Sequence, residues 1–177
     1  YYFLGWSEKD SNKTYYDMTV QKGSTGNKTF VAKWSEFSYS FSGENAIVTN
    51  YKFITSRARV KIPTTVNYNG VDYTVTEIGA SVFEGMGPII KNKLIVTTNS
   101  KGEKVVATKF DVEIPRTLKK IGVNAFANCN DVCIKIILDS GVDIYEWTDS
   151  LEIAEGNKDV ADVIKGRRPA IGWSIYG

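Results

Sequence analysis

The fold turns on one stretch: Ile114-Pro115-Arg116-Thr117-Leu118-Lys119-Lys120-Ile121-Gly122-Val123-Asn124-Ala125-Phe126-Ala127-Asn128-Cys129. An earlier copy runs Ile62-Pro63 and then Ile78-Gly79-Ala80-Ser81-Val82-Phe83-Glu84-Gly85. The two Ile-Gly steps stand 43 residues apart. In the second copy only residues 116 to 120 separate Ile-Pro from Ile-Gly. In the first, a hairpin is spliced into that interval. Repeats of this kind mark stacked architectures. A proline just after a short strand stops further pairing, because it has no N–H. The glycine after isoleucine lets the chain turn or come close to its neighbour. Phe83 and Phe126 are expected to stack as one internal column, with Cys129 filling a small inward position near a turn. One unit cannot bury its apolar side alone, so stacking completes the core.

Working outward, Asn69-Gly70 is the sharpest local signal. It lies between Val66, Tyr68 and Val71, Tyr73, Val75, which predicts a hairpin with a type I′ turn. Before it, Phe37, Tyr39 and Phe41 alternate with Ser38, Ser40 and Ser42. This reads as a strand with an aromatic face and a hydroxyl face, paired across Gly43-Glu44-Asn45 with a strand from Ala46 to Ile54. Arg57, Arg59 and Lys61 alternate with Ala58, Val60 and Ile62, a strand with one wet face. Its charges discourage pairing with a neighbouring molecule. A further hairpin is expected from Leu94 to Thr98 and from Lys104 to Phe110. Asn157 to Gly166 predicts a helix. Asn157 can cap it, Asp159 sits in its first turn, and Val160 and Ile164 share a face. At the start, Thr29 to Trp34 reads as a strand after the turn material of Lys22 to Asn27.

The repeat resembles the BspA-type leucine-rich repeat family, whose motif is close to I-P-x-x-V-x-x-I-G-x-x-A-F-x-x-C with a period of about 23 residues. Residues 114–129 match it almost throughout, with Leu118 in place of Val. Residues 62–85 match with the hairpin insertion and with Val82 in place of Ala. The order over 37–85 is also that of the family: an aromatic hairpin, Ile-Pro, an N-G hairpin, then the first Ile-Gly. The chain departs from the family in having few repeats and a β insertion over 86–113. The strand after Cys129 lacks its proline, so the regular array is expected to stop there. Phe3-Leu4-Gly5-Trp6 with Thr29-Phe30-Val31-Ala32-Lys33-Trp34 resembles the second half of a Listeria–Bacteroides repeat, with Phe30 where Tyr is usual. The alternative is an ordinary strand pair with two core tryptophans. The expectation is a mostly β chain, a short BspA-like solenoid with inserted hairpins. It would comprise a β module at 1–34, the repeat region at 35–138 and a C-terminal cap or irregular tail with a short helix at 139–177.

Composition narrows the function. The 177 residues hold no histidine, which excludes Ser-His-Asp and Cys-His nucleophile sites. A net charge of +2 argues against a dedicated nucleic-acid binder. Residues 51–110 carry nine basic and four acidic groups; residues 111–177 carry eight and eleven. That asymmetry could steer a partner weakly or be a solvated face. Cys129 and Cys133 are spaced C-x3-C, unlike a redox pair, and read best as buried thiols. Asn12-Lys13-Thr14 and Asn27-Lys28-Thr29 fit the glycosylation pattern, which matters only in a eukaryotic secretory host. No apolar run is long enough to span a membrane. Acid pairs such as Asp111/Glu113 and Asp139/Asp143 are expected by chance in an acidic segment, and no cofactor or metal motif is present. Tyr-Tyr-Phe-Leu-Gly-Trp at the start has no initiator Met, as in a processed product.

Both resemblances imply an exported bacterial surface protein and a non-enzymatic adhesion module for an extracellular protein. The alternatives are a carbohydrate-binding module and a structural spacer. Candidate surface residues are Arg57, Arg59, Tyr68 and Tyr73, and, near the end, Trp147, Arg167, Arg168 and Trp173, because Tyr, Trp and Arg anchor interfaces. Tyr68 and Tyr73 could equally pack across strands, and the two tryptophans could belong to a cap core. Sugar binding would call for two or more coplanar exposed aromatics.

Overall fold

The computed structural model describes every residue except 53–57, 88, 91–92, 95, 108–109, 130–131, 138–143, 167–172 and 177. The chain opens with β1 (Tyr2–Glu8) and β2 (Phe30–Ser35). The aromatic hairpin is β3 (Phe37–Ser42) and β4 (Asn45–Tyr51). Then come β5 (Arg59–Lys61), β6 (Thr65–Tyr68) and β7 (Val71–Ile78). The insertion holds β8 (Ile89–Ile90), β9 (Lys93–Leu94), β10 (Val96–Thr98) and β11 (Lys104–Val106). The second repeat supplies β12 (Phe110–Pro115) and β13 (Lys120–Ile121), and β14 (Val132–Ile137) follows. The chain finishes with α1 (Ile144–Ser150), β15 (Glu152–Ile153), α2 (Lys158–Gly166) and β16 (Trp173–Tyr176).

Two parallel ladders define the solenoid. One sheet runs β16-β14-β12-β5, with Val112 level with both Val60 and Ile134. The other runs β15-β13-β7-β4-β3, with Ile121 level with Ile78 and Ile153. Parallel ladders need crossovers, and each coil supplies one. The chain is mostly strand, as its Val, Ile, Thr and Tyr content predicts. After Cys129 the motif is lost and an irregular last coil follows. β14, β15 and β16 carry both ladders into the last forty or so residues. Pairing along an interior strand needs a continuous row of N–H groups, and the lack of a proline in β14 leaves that row intact.

Between the ladders the coils are seamed by repeated turns. The third residue after each Ile is left-handed: Ser81 (φ 59°), Asn124 (φ 55°) and Gly156 (φ 84°). Amides of one coil donate to carbonyls of the next: Ser81 to Val123, Phe83 to Ala125, and Gly85 to Ala127. The Ile-Gly glycine is required by proximity. A Cβ on Gly122 would meet the Gly79 carbonyl carbon at 2.8 Å and the Ile78 oxygen at 2.9 Å. In the last coil Asn157 takes the place of Ala125. It is buried, accepts from the Phe126 amide at 2.9 Å and donates to the Gly122 oxygen at 2.9 Å. It stands just before α2 as expected, and its side chain joins coil to coil.

The core runs between the sheets. Phe83 and Phe126 are buried and stack at 5.2 Å with planes 18° apart, as the repeat predicted. Phe37 and Tyr51 continue the column at 6.4 and 5.5 Å from Phe83. Val160 and Ile164 bury the inner face of α2. Lys165 on α2 donates to the Leu151 and Thr148 carbonyls, satisfying free groups at the end of α1. That helix was not foreseen.

The β1–β2 pair docks on the Asn69-Gly70 turn. Both turn residues are left-handed (φ 50° and 77°), as a type I′ turn requires. The Thr14 amide donates to Asn67 Oδ1 at 2.7 Å, the Tyr16 amide to Asn69 Oδ1 at 3.0 Å, and the Gly70 amide to the Thr14 oxygen at 3.0 Å. Tyr15 meanwhile exchanges both backbone bonds with Trp6. Residues 14–16 are thus bonded on two sides.

Candidate functional site

The β10–β11 hairpin is shorter than its sequence suggests. Val96–Thr98 pairs with Lys104–Val106, and Phe110 instead opens β12 as a buried repeat residue. Asn99 closes the turn: its Oδ1 accepts from the Lys101 and Glu103 amides at 2.9 and 3.0 Å. The hairpin makes one wall of a groove of about 1260 Å³. The floor is the outer face of β5 and β12, where parallel register sets Arg59 beside Asp111 and Lys61 beside Glu113. Phe37 and Tyr39 stand on the opposite side with Ser35 and Glu36. The alternation that buries Val60 and Val112 forces Arg59, Lys61, Asp111 and Glu113 onto the groove side.

Electrostatically the floor is mixed. Arg59 bonds Asp111 at 3.3 Å. Lys61 makes no ion pair among the described residues. Burial pushes the Tyr39 hydroxyl up to about 12, so it stays protonated and can donate. The apolar share comes from Phe37, Val105 and Val106. The volume exceeds the roughly 300–1,000 Å³ of small-molecule pockets.

Of the candidate surface residues that the structure describes, Arg59 alone lines this groove. Tyr68 and Tyr73 are half-buried and both meet Phe41, at 5.0 and 4.3 Å, so they pack across strands. Trp147 is corrected: it is 8% exposed, and its indole N–H donates to the Arg116 oxygen at 2.6 Å. It belongs to the core of the last coil, because α1 folds it inward under the neighbouring turn. Trp173 lies in β16, level with Ile134. Arg57, Arg167 and Arg168, and the Asp139/Asp143 pair, lie outside the described residues.

Sequence reasoning missed the groove, since its lining comes from four separated segments. It also missed an aromatic cluster on the first module. Phe3 is the hub, with Trp6, Tyr16 and Trp34 at 5.6, 5.9 and 5.2 Å. Trp6 is 41% and Trp34 59% exposed, so neither is a core tryptophan. The three rings tilt by 59–73° from Phe3, which is not a flat platform. Cys129 is a free thiol whose Sγ donates to the Phe83 oxygen at 3.0 Å, and burial pushes it up to about 11. It is held as a small, half-buried hydrogen-bond donor at the edge of the core. Among the described residues no group of three or more Cys, Asp or Glu could hold a metal, and no helix is long and apolar enough to cross a membrane.

No family model and no curated protein matches the sequence. Among solved structures the chain is similar to a leucine rich cell surface protein from Faecalibacterium prausnitzii A2-165, at 23% identity and a TM-score of 0.41. That match covers 62% of this chain and 24% of the other, so this chain spans about a quarter of that protein's length. It is also similar to a leucine-rich repeat protein from Bacteroides capillosus ATCC 29799, at 17% identity and a TM-score of 0.42, covering 81% of this chain and 95% of that one. A third similarity is to the leucine rich repeat protein of T. pallidum, at 18% identity and a TM-score of 0.36, over 58% of this chain and 40% of the other. The in-register parallel ladders, the stacked Phe83 and Phe126 and the repeated Ile-Gly turns together form a solenoid of the leucine-rich repeat kind.

Proposed function

We propose that the chain is a non-enzymatic recognition module of a bacterial surface protein, and that it binds an extracellular protein in the groove between the β10–β11 hairpin and the β5–β12 floor. The groove carries this reading. It is broad and open, about 1260 Å³, and combines apolar wall residues with a floor of mixed charge. The resemblance to an exported surface family supports the same setting. Polysaccharide recognition is disfavoured by the tilted rings of the first module. A spacer role has one observation in its favour, the two-sided bonding of residues 14–16, which fixes the first module to the solenoid.

The test is binding of the purified chain to a panel of matrix proteins and polysaccharides at low and high salt. The expected result is saturable binding to a protein that survives high salt and is lost in Val106→Glu, where the exposed wall of the groove becomes charged. Binding to polysaccharide alone, or binding abolished by salt, would overturn the protein-recognition reading. No binding at all would leave the spacer role.

A further inference from the structure

The sequence contains a single Asn-Gly pair, Asn69-Gly70, and the pair sits where the first module meets the solenoid. In such a pair the backbone nitrogen that follows can attack the asparagine side-chain amide, because glycine has no side chain to shield that nitrogen. Three contacts hold Asn69 and Gly70 away from this reaction. Asn69 Oδ1 accepts from the Tyr16 amide at 3.0 Å, which ties the carboxamide to residue 16. The Gly70 N–H donates to the Thr14 oxygen at 3.0 Å, so the attacking nitrogen is engaged as well. The Tyr15 ring lies on Gly70: a Cβ there would meet its Cε1 and Oη at 2.8 Å. Asn69 is otherwise exposed, so water reaches its amide. The guard thus comes wholly from residues 14–16, more than fifty positions away in the chain.

We propose that Asn69-Gly70 is a deamidation site gated by the first module: docking of residues 14–16 keeps it intact, and its conversion to isoaspartate bars them from docking again. In the opened turn the Gly70 nitrogen loses its proton to hydroxide and bonds to Asn69 Cγ. The Cγ–Nδ2 bond breaks, and ammonia leaves with a proton from water. A second water opens the cyclic imide on one side or the other, giving aspartate or isoaspartate. The net change is one water consumed and one ammonia released, with nothing oxidised or reduced. The two products differ in consequence. Aspartate keeps the backbone path and an oxygen for the Tyr16 amide. Isoaspartate routes the backbone through Cγ, which adds a methylene to the turn and makes the oxygen that held Tyr16 a main-chain carbonyl. A two-residue turn with both residues left-handed does not accommodate the extra atom. The bonds of the Tyr16 amide and the Gly70 N–H are then lost together. A transient release of the module becomes a permanent one. The groove plays no part in this chemistry.

The test incubates the purified full chain at mildly alkaline pH and follows Asn69 by peptide mass spectrometry, with isoaspartate marked by an isoaspartyl methyltransferase. The reference is a synthetic peptide of residues 66–72, in which nothing covers the pair. The parent chain should react about tenfold more slowly than the peptide, or slower still, because reaction waits on local opening. Tyr15→Ala removes the ring over Gly70, and Asn67→Ala removes the acceptor of the Thr14 amide; neither alters the reacting pair. Each should speed the reaction about fivefold, with hydrogen exchange at the Phe83 amide unchanged. Asn69→Asp should leave exchange at the Tyr16 amide as slow as in the parent, whereas the purified isoaspartyl form should lose that protection. A parent chain that reacts as fast as the peptide would overturn the proposal. So would variants that react at the parent rate, or an isoaspartyl form that still protects the Tyr16 amide. Faster exchange at Phe83 in step with the reaction would overturn it too, since the guard would then be the whole fold and not the docked segment.

Discussion

Phe126 shows what a single side chain contributes here. It is buried, stacks on Phe83, and has its amide held by Asn157. Phe126→Ala removes a ring from between two coils that cannot close onto the gap. It should cost about 3–5 kcal/mol, seen as a lower urea midpoint. The sequence disclosed this residue because its motif occurs twice. It did not disclose that the equivalent of Ala125 in the last coil is Asn157, since a buried asparagine in that place is specified only by the bonds it makes. Cys129 was legible as an unreacted thiol packed on the core, though it is half-buried rather than buried. Its folded value, about 11, lies above the ordinary 9.0, so the folded state holds that proton more tightly. The stability it contributes is complete below about pH 9 and is lost as pH rises toward 11. Urea midpoints across that window should fall for the parent and fall less for Cys129→Ala. Tyr39 titrates in the same direction from 10.0 to about 12, so part of the decline persists in the variant.

Elements differ in how far local chemistry specifies them. The β6–β7 hairpin was readable because Asn-Gly suits two successive left-handed residues. Its second task, to hold the β1–β2 pair, was not readable: Asn67 and Asn69 reach amides 53 residues away. Asn67→Ala leaves the Thr14 amide without its acceptor, a local cost of about 1 kcal/mol. Hydrogen exchange at the Thr14 amide should accelerate severalfold, with the Phe83 amide unchanged. Equal acceleration at both would mean that the first module and the solenoid unfold together. The arms of the β10–β11 hairpin were placed too long because Lys104 to Phe110 is rich in β-forming residues and contains no Gly, Pro, Asn or Asp to mark a break. The boundary is set by β12, which captures Phe110 for the ladder. Trp147 escaped for a related reason. A seven-residue helix has too few turns to display which side faces inward, and the indole bond to Arg116 decides it.

At the scale of the molecule, stability and the groove are separable. The β10–β11 hairpin is almost wholly exposed, while the ladder beneath it is buried from Phe110 to Ile114 at alternate positions. Replacing residues 96–106 with a Gly-Ser linker should change stability by no more than about 1 kcal/mol, as loop exchanges do. The groove would lose a wall, and binding to its protein partner should disappear. A large drop in melting temperature would show instead that the hairpin is part of the fold. The architecture was legible from two copies of a motif, but its extent was not. β14 carries Ile137 where β12 has Pro115, so the motif fades while the register persists.

The left-handed seam at Ser81, Asn124 and Gly156 has a consequence for how such a chain can change in length. The joint recurs at the same place in successive coils: the Ser81 amide donates to the Val123 carbonyl, and the Asn124 amide to the Glu155 carbonyl. A coil duplicated in the gene would arrive with both halves of its own joint. It would meet its parents as they already meet each other, without new end chemistry. Growth by whole coils is then the mutational path of least disruption, whereas insertion of a few residues within a coil breaks two joints at once. Excursions such as the β10–β11 hairpin escape that penalty, because they leave and rejoin the coil between joints. Novelty in this architecture is therefore channelled to its sides.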